Sequence, residues 1–252
     1  MSVWDELKFG ERTFLPKVRK LEELKEVVFD KSFLKHANMD MDVYFMFREV
    51  SKGKEDEKRI KDKGLRYDIT IIPPKKLGLE FVKTAGHYHP FLPGSKITYP
   101  EVYEVLEGEA HYLLQHREKE GATEKITDVV VVKARKGDKV IIPPNYGHVT
   151  INPTEVVLKM ANWVASAFSS VYEPMRRRGG AAYFELTNGE FVKNERYEEV
   201  PDIRFLKPSD VEREVGLSLS KEVEIYELIK EPEKLAFLTD PNLFLKNKLL
   251  TQ

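Results

Sequence analysis

The chain has 252 residues, 41% of them hydrophobic and 33% charged, with a formal net charge of −1. That balance suits a soluble globular protein and provides no broad field for nucleic acid or a membrane surface. No apolar run reaches the roughly 18 residues needed to cross a bilayer, the N-terminal MSVWDELKFG lacks a signal peptide's apolar core, and cysteine is absent, so disulfides and thiolate metal sites are excluded and a cytoplasmic location is favoured.

Near the N-terminus, VRKLEELKEVVFD (18–30) sets Val18, Leu21, Leu24 and Val28 at helical spacing, which predicts an amphipathic helix. From there to residue 164 the pattern changes to short runs rich in β-branched and aromatic residues: DVYFMFREV, LRYDITIIP, EFVKT, EVYEVLEG, AHYLLQH, DVVVVKA, DKVIIP, HVTINP and EVVLKMANWV. Gly, Pro and polar clusters separate them, and no helical pattern intervenes, so an all-β-dominated antiparallel barrel or sandwich is expected. Past Pro201 the pattern is helical again. PSDVEREVG offers Ser209 as N-cap, Glu212 three residues later and Gly216 as a stop, while LTDPNLFLKNKLL starts a helix at Asp240–Pro241. The expected division is therefore 1–200, a β domain with an N-terminal helix, and 201–252, a helical extension that clasps an edge or a subunit surface.

The chemistry concentrates between Thr84 and Asn152. Side chains alternate faces along a strand, so His87 and His89 point the same way, and Glu101 and Tyr103 share one face of the run that follows. His148 follows a turn built from Pro143, Pro144 and Gly147. Three imidazoles and a carboxylate suit Fe(II), Mn(II), Ni(II) or Zn(II) rather than Ca(II), and an octahedral ion held by four of them keeps two positions for water or substrate. His36, His111 and His116 have no partner at useful spacing and are expected to be structural or solvent-facing. Arg176–Arg178 and Lys83 are expected on the solvated surface, because consecutive residues do not all face one ligand and Lys83 alternates away from Thr84.

The spacing H-x-H, Glu101 leading E-x6-G to Gly108, Gly137 leading G-x5-P to Pro143, and His148 leading H-x3-N to Asn152 resembles the two motifs of the cupin family. The resemblance implies a double-stranded β-helix, or jelly-roll, barrel with one metal at its mouth held by His87, His89, Glu101 and His148. Eleven residues separate His89 from Glu101, more than in most cupins, so PFLPGSKITYP is expected to loop out over the mouth.

The local wording is more selective. T-x-G-H-x-H, then P-E-V-Y-x-x-L-x-G, then V-x-x-P-P-x-x-x-H-x-T-x-N is similar to the archaeal cupin-type glucose-6-phosphate isomerases, over about Asp42 to about Val200. That resemblance implies a sugar-phosphate pocket lined by Tyr44, Thr70, Thr84 and Gly86, with Tyr172 at the phosphate; Ser170 stands where the family has a histidine. It also implies a homodimer and one divalent ion, with Fe(II) the expected metal. The activity implied is aldose–ketose isomerisation between glucose 6-phosphate and fructose 6-phosphate, in glycolysis and gluconeogenesis. Glu101 would carry the proton and Tyr103 would position a hydroxyl or relay a proton. Mannose 6-phosphate isomerisation and non-catalytic sugar-phosphate binding are the alternatives.

Overall fold

The computed structural model describes residues 4–120 and 123–243. Every predicted β run except EFVKT becomes a strand of one of two sheets. With two strands that no predicted run covers, the first and the last, the two sheets contain in chain order β1 (Lys17–Lys20), β2 (Asp42–Phe47), β3 (Leu65–Ile72), β4 (Glu101–Glu107), β5 (Glu109–Glu120), β6 (Thr123–Arg135), β7 (Lys139–Ile142), β8 (Tyr146–Ile151), β9 (Leu158–Ala165) and β10 (Arg204–Leu206). A six-stranded sheet runs β7-β4-β9-β3-β2-β1, and a four-stranded sheet runs β8-β5-β6-β10. Neighbours are antiparallel except β6 and β10, which pair in parallel. EFVKT contributes only Glu80–Phe81, paired with Lys76–Leu77. The architecture is mostly β, as the strand runs imply, with the two sheets sharing a core.

Alternation decides what each face buries. Tyr112, Leu114, Val130 and Val132 enter the same core as Val105 and Met160 of the larger sheet. Leu113, Val129 and Val131 point the other way, into a second core with Ile151, Met175 and Tyr183. Both faces of the four-stranded sheet are thus covered, which accounts for the unbroken apolar run of β6. Gly108 turns the chain from β4 to β5 at φ +80, and an added Cβ there would lie 2.4 Å from the carbonyl oxygen of Val157. Both conditions require glycine at the end of E-x6-G.

The N-terminal helix expected over 18–30 does not form. Val18 and Arg19 pair with Phe45 and Tyr44 as part of β1, and two 3-10 turns, Leu21–Glu23 and Lys25–Val27, follow. The apolar positions were informative, since Leu21, Leu24 and Val28 are fully buried, but sheet pairing outweighs helical propensity.

The C-terminal segment starts with β10 before its helix, Pro208–Val215. Its N-cap is Lys207 rather than Ser209, with the Lys207 N–H donating to Asp210 Oδ2 (2.9 Å); Gly216, at φ +70, ends it as expected. The chain then crosses the outer face of the larger sheet. Trp163 Nε1 donates to the Ile225 carbonyl (2.6 Å), the Ile225 N–H donates to buried Glu104 (2.7 Å), and the Tyr226 ring lies 4.9 Å from Tyr67. The helix expected from Asp240 runs into residues 244–252, outside the described residues. No helix among the described residues is long and apolar enough to cross a membrane.

Candidate metal centre and its pocket

Two segments far apart in sequence set the histidines face to face. Residues 83–88 run beside β8, with Thr84 N–H donating to Thr150 O (2.9 Å) and His87 and His148 exchanging both backbone hydrogen bonds (3.1 and 3.0 Å). The His87 and His148 rings consequently lie 4.4 Å apart. Gly86, at φ +73, permits that approach, since a Cβ would come within 2.5 Å of both Met175 Sδ and Val149 Cγ2. His89 follows on the same face, and Glu101 enters at the first position of β4, in register with Ile142 and Val164.

The ligand atoms of His87, His89, Glu101 and His148 all lie within 4.8 Å of one another. His89 Nε2 is 3.3 Å from His87 Nε2 and 3.3 Å from Glu101 Oε2, and His148 Nε2 is 3.3 Å from the same oxygen. His89 Nδ1 stands 2.8 Å from the carbonyl oxygen of Tyr99, which can only accept. The ring hydrogen is therefore on Nδ1, and a bare Nε2 faces the carboxylate. Glu101 Oε2 is buried with no hydrogen-bond partner. Lone pairs packed against an unpartnered carboxylate oxygen are repulsive unless a cation lies between them, so the donor set fits a divalent ion of the imidazole–carboxylate type.

The electrostatics agree. Burial, then the neighbouring His148 and His89 and the cations Arg48 and Arg19, push the His87 imidazole well below its ordinary value. Burial, only partly offset by Glu101, pushes His148 to about 4. At neutral pH His87 and His148 are thus neutral, as a metal requires of its imidazole ligands.

One pocket contains this cluster and every residue that the sequence assigned to sugar phosphate: Tyr44, Thr70, Thr84, Gly86 and Tyr172, together with Tyr103 and Ser170. The Tyr103 hydroxyl lies 3.2 Å from His148 Nε2. The Tyr172 ring lies 5.3 Å from that of His87. The long insertion folds back on itself and is tied to the turn before His148: Thr98 N–H donates to Asn145 Oδ1 (3.0 Å), and Asn145 N–H donates to Thr98 Oγ1 (2.6 Å). Phe168, also in the pocket wall, packs 4.7 Å from the His89 ring.

Sequence reasoning missed Arg48, Arg66 and Asn162, which also line the pocket. The signal was available, because period-two alternation from Tyr44 leads to Arg48 and from Thr70 back to Arg66. Lys83 requires a correction. It does face away from the pocket, but it is buried rather than on the surface, paired with Glu80 (2.6 Å) and lying 4.5 Å over the Phe184 ring. His111 pairs with buried Glu185 (2.8 Å) and His116 with Thr127 (2.7 Å), both away from the cluster. None of Arg176–Arg178 lines the pocket; Arg176 stacks 5.5 Å over the Tyr172 ring from outside.

The family model described as glucose-6-phosphate isomerase (GPI) matches residues 18–202. A glucose-6-phosphate isomerase of Pyrococcus abyssi is 30% identical over 185 residues, covering 71% of this chain and 87% of that protein. One from Thermococcus litoralis is 32% identical over 137 residues, covering 54% of this chain and 62% of that protein, so this match spans less than two thirds of the relative's length. Among solved structures, a predicted oxalate decarboxylase from Thermotoga maritima superposes with a TM-score of 0.31 at 16% identity, covering 48% of this chain and 77% of that one. The Drosophila melanogaster CENP-C cupin domain superposes with a TM-score of 0.27 at 16% identity, covering 50% and 70%. With a family match across most of its length and the cluster His87, His89, Glu101 and His148 at the pocket, the chain belongs to the glucose-6-phosphate isomerase family.

Proposed function

We propose that the protein is a metal-dependent isomerase interconverting glucose 6-phosphate and fructose 6-phosphate. The observation that carries this reading is the convergence of four metal-type ligand atoms within 4.8 Å at the wall of a hydroxyl-lined pocket. His87, His89, His148 and Glu101 hold one divalent ion, with Fe(II) the expected metal. When bound, such an ion polarises the sugar's carbonyl oxygen.

Glu101 takes the proton from C2 of the open-chain aldose, leaving a cis-enediol, and returns it to C1. The hydroxyl proton on O2 moves to O1 in the same passage, so the carbonyl changes place with no net oxidation. Tyr103, whose hydroxyl lies 3.2 Å from His148 Nε2, relays that proton between the two oxygens or positions one of the hydroxyls. The hydroxyls of Tyr44, Thr70, Thr84 and Tyr172 and the backbone at Gly86 hold the sugar phosphate around these groups. The protein is read as cytoplasmic and homodimeric, with the segment after residue 200 serving as a clasp on the β domain.

The test is turnover of fructose 6-phosphate by metal-stripped protein resupplied with Fe(II) or Mn(II). Metal demonstrably bound with no conversion would overturn the assignment.

A further inference from the structure

Alternation turns Tyr88, the residue between His87 and His89, away from the pocket. It is 3% exposed and enters the second core. Its ring lies over Gly147, where an added Cβ would come within 2.6 Å of Tyr88 Cε1. Gly147 is not at positive φ, so what glycine supplies there is room rather than a special backbone angle. Directly across from Gly147 on β5 stands Gln115, fully buried. Its Nε2 donates to the Tyr88 hydroxyl, and its Oε1 accepts the N–H of Ala182 (2.7 Å). The same Nε2 lies 3.3 Å from the Tyr197 hydroxyl, which donates to the carbonyl of Gly180 (3.0 Å). Breaking into such a buried network is costly, because each freed donor or acceptor stays away from water.

Three chain positions next to the pocket depend on this one side chain. Tyr88 is bonded to His87 and His89 along the backbone. Its ring packs on Gly147, the residue before His148. Its own N–H and carbonyl exchange hydrogen bonds with Val171 (3.0 and 2.8 Å), which lies between Ser170 and Tyr172 of the pocket wall. Tyr88 therefore touches the backbone beside all three imidazoles while lining no part of the pocket itself.

We infer that Tyr88, clamped by Gln115 and seated on Gly147, is the positioning residue that fixes the spacing of His87, His89 and His148, and so sets which divalent ion the centre prefers. The inference rests on the reading of the four side chains as a metal centre, not on which sugar is turned over. A site of fixed spacing selects its ion by geometry, whereas a loosened one reverts to raw affinity, in which Mn(II) stands lowest and Zn(II) well above it. Zn(II) also accepts ligands drawn into a tetrahedron. Loosening the three imidazoles thus costs Mn(II) more than Zn(II).

The experiment titrates the metal-stripped full chain with Mn(II) and with Zn(II), each against a competing chelator. Tyr88→Phe and Gln115→Leu should each weaken Mn(II) about 10-fold or more, the scale for a lost contact behind a metal ligand, and Zn(II) by markedly less. The double variant should be no worse than Gln115→Leu alone, since both changes remove the same hydrogen bond. The visible bands of the Co(II)-loaded variants should strengthen, as they do when coordination number falls. Tyr226→Ala, which loosens the outer face of the other sheet, should leave both affinities unchanged and so separates positioning from general loss of stability. Tyr88→Phe keeps the ring on Gly147, so it decides the matter if Gln115→Leu does not fold. An unchanged ratio of Mn(II) to Zn(II) affinity in the folded variants would overturn the inference. If the wild type binds its ion but does not isomerise, the isomerase reading fails and this one stands. If it isomerises and the variants keep the wild-type ratio, the reverse holds; a wild type that binds neither ion overturns both.

Discussion

His89 gives its Nδ1 hydrogen to the carbonyl of Tyr99, 2.8 Å away, and so presents a bare Nε2 to Glu101. Tyr99 sits at the end of the long insertion, and the insertion is held in place by the paired hydrogen bonds between Thr98 and Asn145. The loop therefore does more than shield the pocket: it fixes the tautomer and orientation of a metal ligand. Asn145→Gly keeps the left-handed backbone found here (φ +70) but removes the side-chain acceptor. Metal affinity should fall about 10-fold or more, the usual scale for loss of a supporting contact around a metal ligand. Competition with a chelator measures this, and unchanged retention would show the loop to be irrelevant to His89.

Glu101 and His148 separate two kinds of loss. Glu101→Gln removes the ligand charge and the proton carrier together, so turnover of fructose 6-phosphate should drop at least about 100-fold, a typical general-base contribution. His148→Ala should instead show itself first as metal loss, read by elemental analysis after dialysis. If Glu101→Gln retains activity at saturating metal, the proton route through Glu101 is wrong.

Acidification should destabilise the metal-stripped protein. His148 is held at about 4 and His87 well below its ordinary value, in both cases chiefly by burial. Between about pH 6.5, where an unfolded histidine titrates, and about pH 4, the unfolded chain binds protons that the folded chain refuses. The stability from these neutral imidazoles is full above about pH 6.5 and is lost as pH falls through that window. Melting temperatures of the stripped protein at about pH 7.5 and about pH 5 check the sign. A higher melting point at the acid value would contradict it.

Tyr226 tests the C-terminal clasp independently of the pocket. It is 2% exposed, its hydroxyl accepts from Lys52 N–H and donates to Asp56 (both 2.7 Å), and its ring packs on Tyr67 and Phe9. Tyr226→Ala should cost roughly 3–5 kcal/mol, the range for removing a large buried aromatic side chain. Metal stoichiometry should not change, because the clasp lies on the outer face of the sheet. Chemical denaturation of the two proteins measures the difference.

Where local pattern and tertiary environment agreed, the chain was legible. The strand runs, the shared face of His87 and His89, the glycine at 108 and the stop at Gly216 each follow from residue type and spacing within a few positions. The segment 18–30 was misread because Val18, Leu21, Leu24 and Val28 satisfy a helix on paper, whereas the edge beside Phe45 and Tyr44 accepts the chain as a strand. Lys83 was misplaced for a related reason: alternation shows which way a side chain points, not what covers it.

Sequence alone determined the ligand types, the alternation that gathers imidazoles onto one face, and the absence of any thiolate alternative, because these depend on atoms and on backbone period. The tertiary structure decided what depends on distance between remote segments: that His148 faces His87, that Tyr99 sets the tautomer of His89, and that Asp68 turns Arg48 and Arg66 toward the pocket. Such contacts join residues that no local period relates. They exist only once the burial of both sheets has fixed the register between strands: spacing can put Arg48 and Arg66 on the pocket face, but not name the carboxylate that holds them or the carbonyl that orients His89.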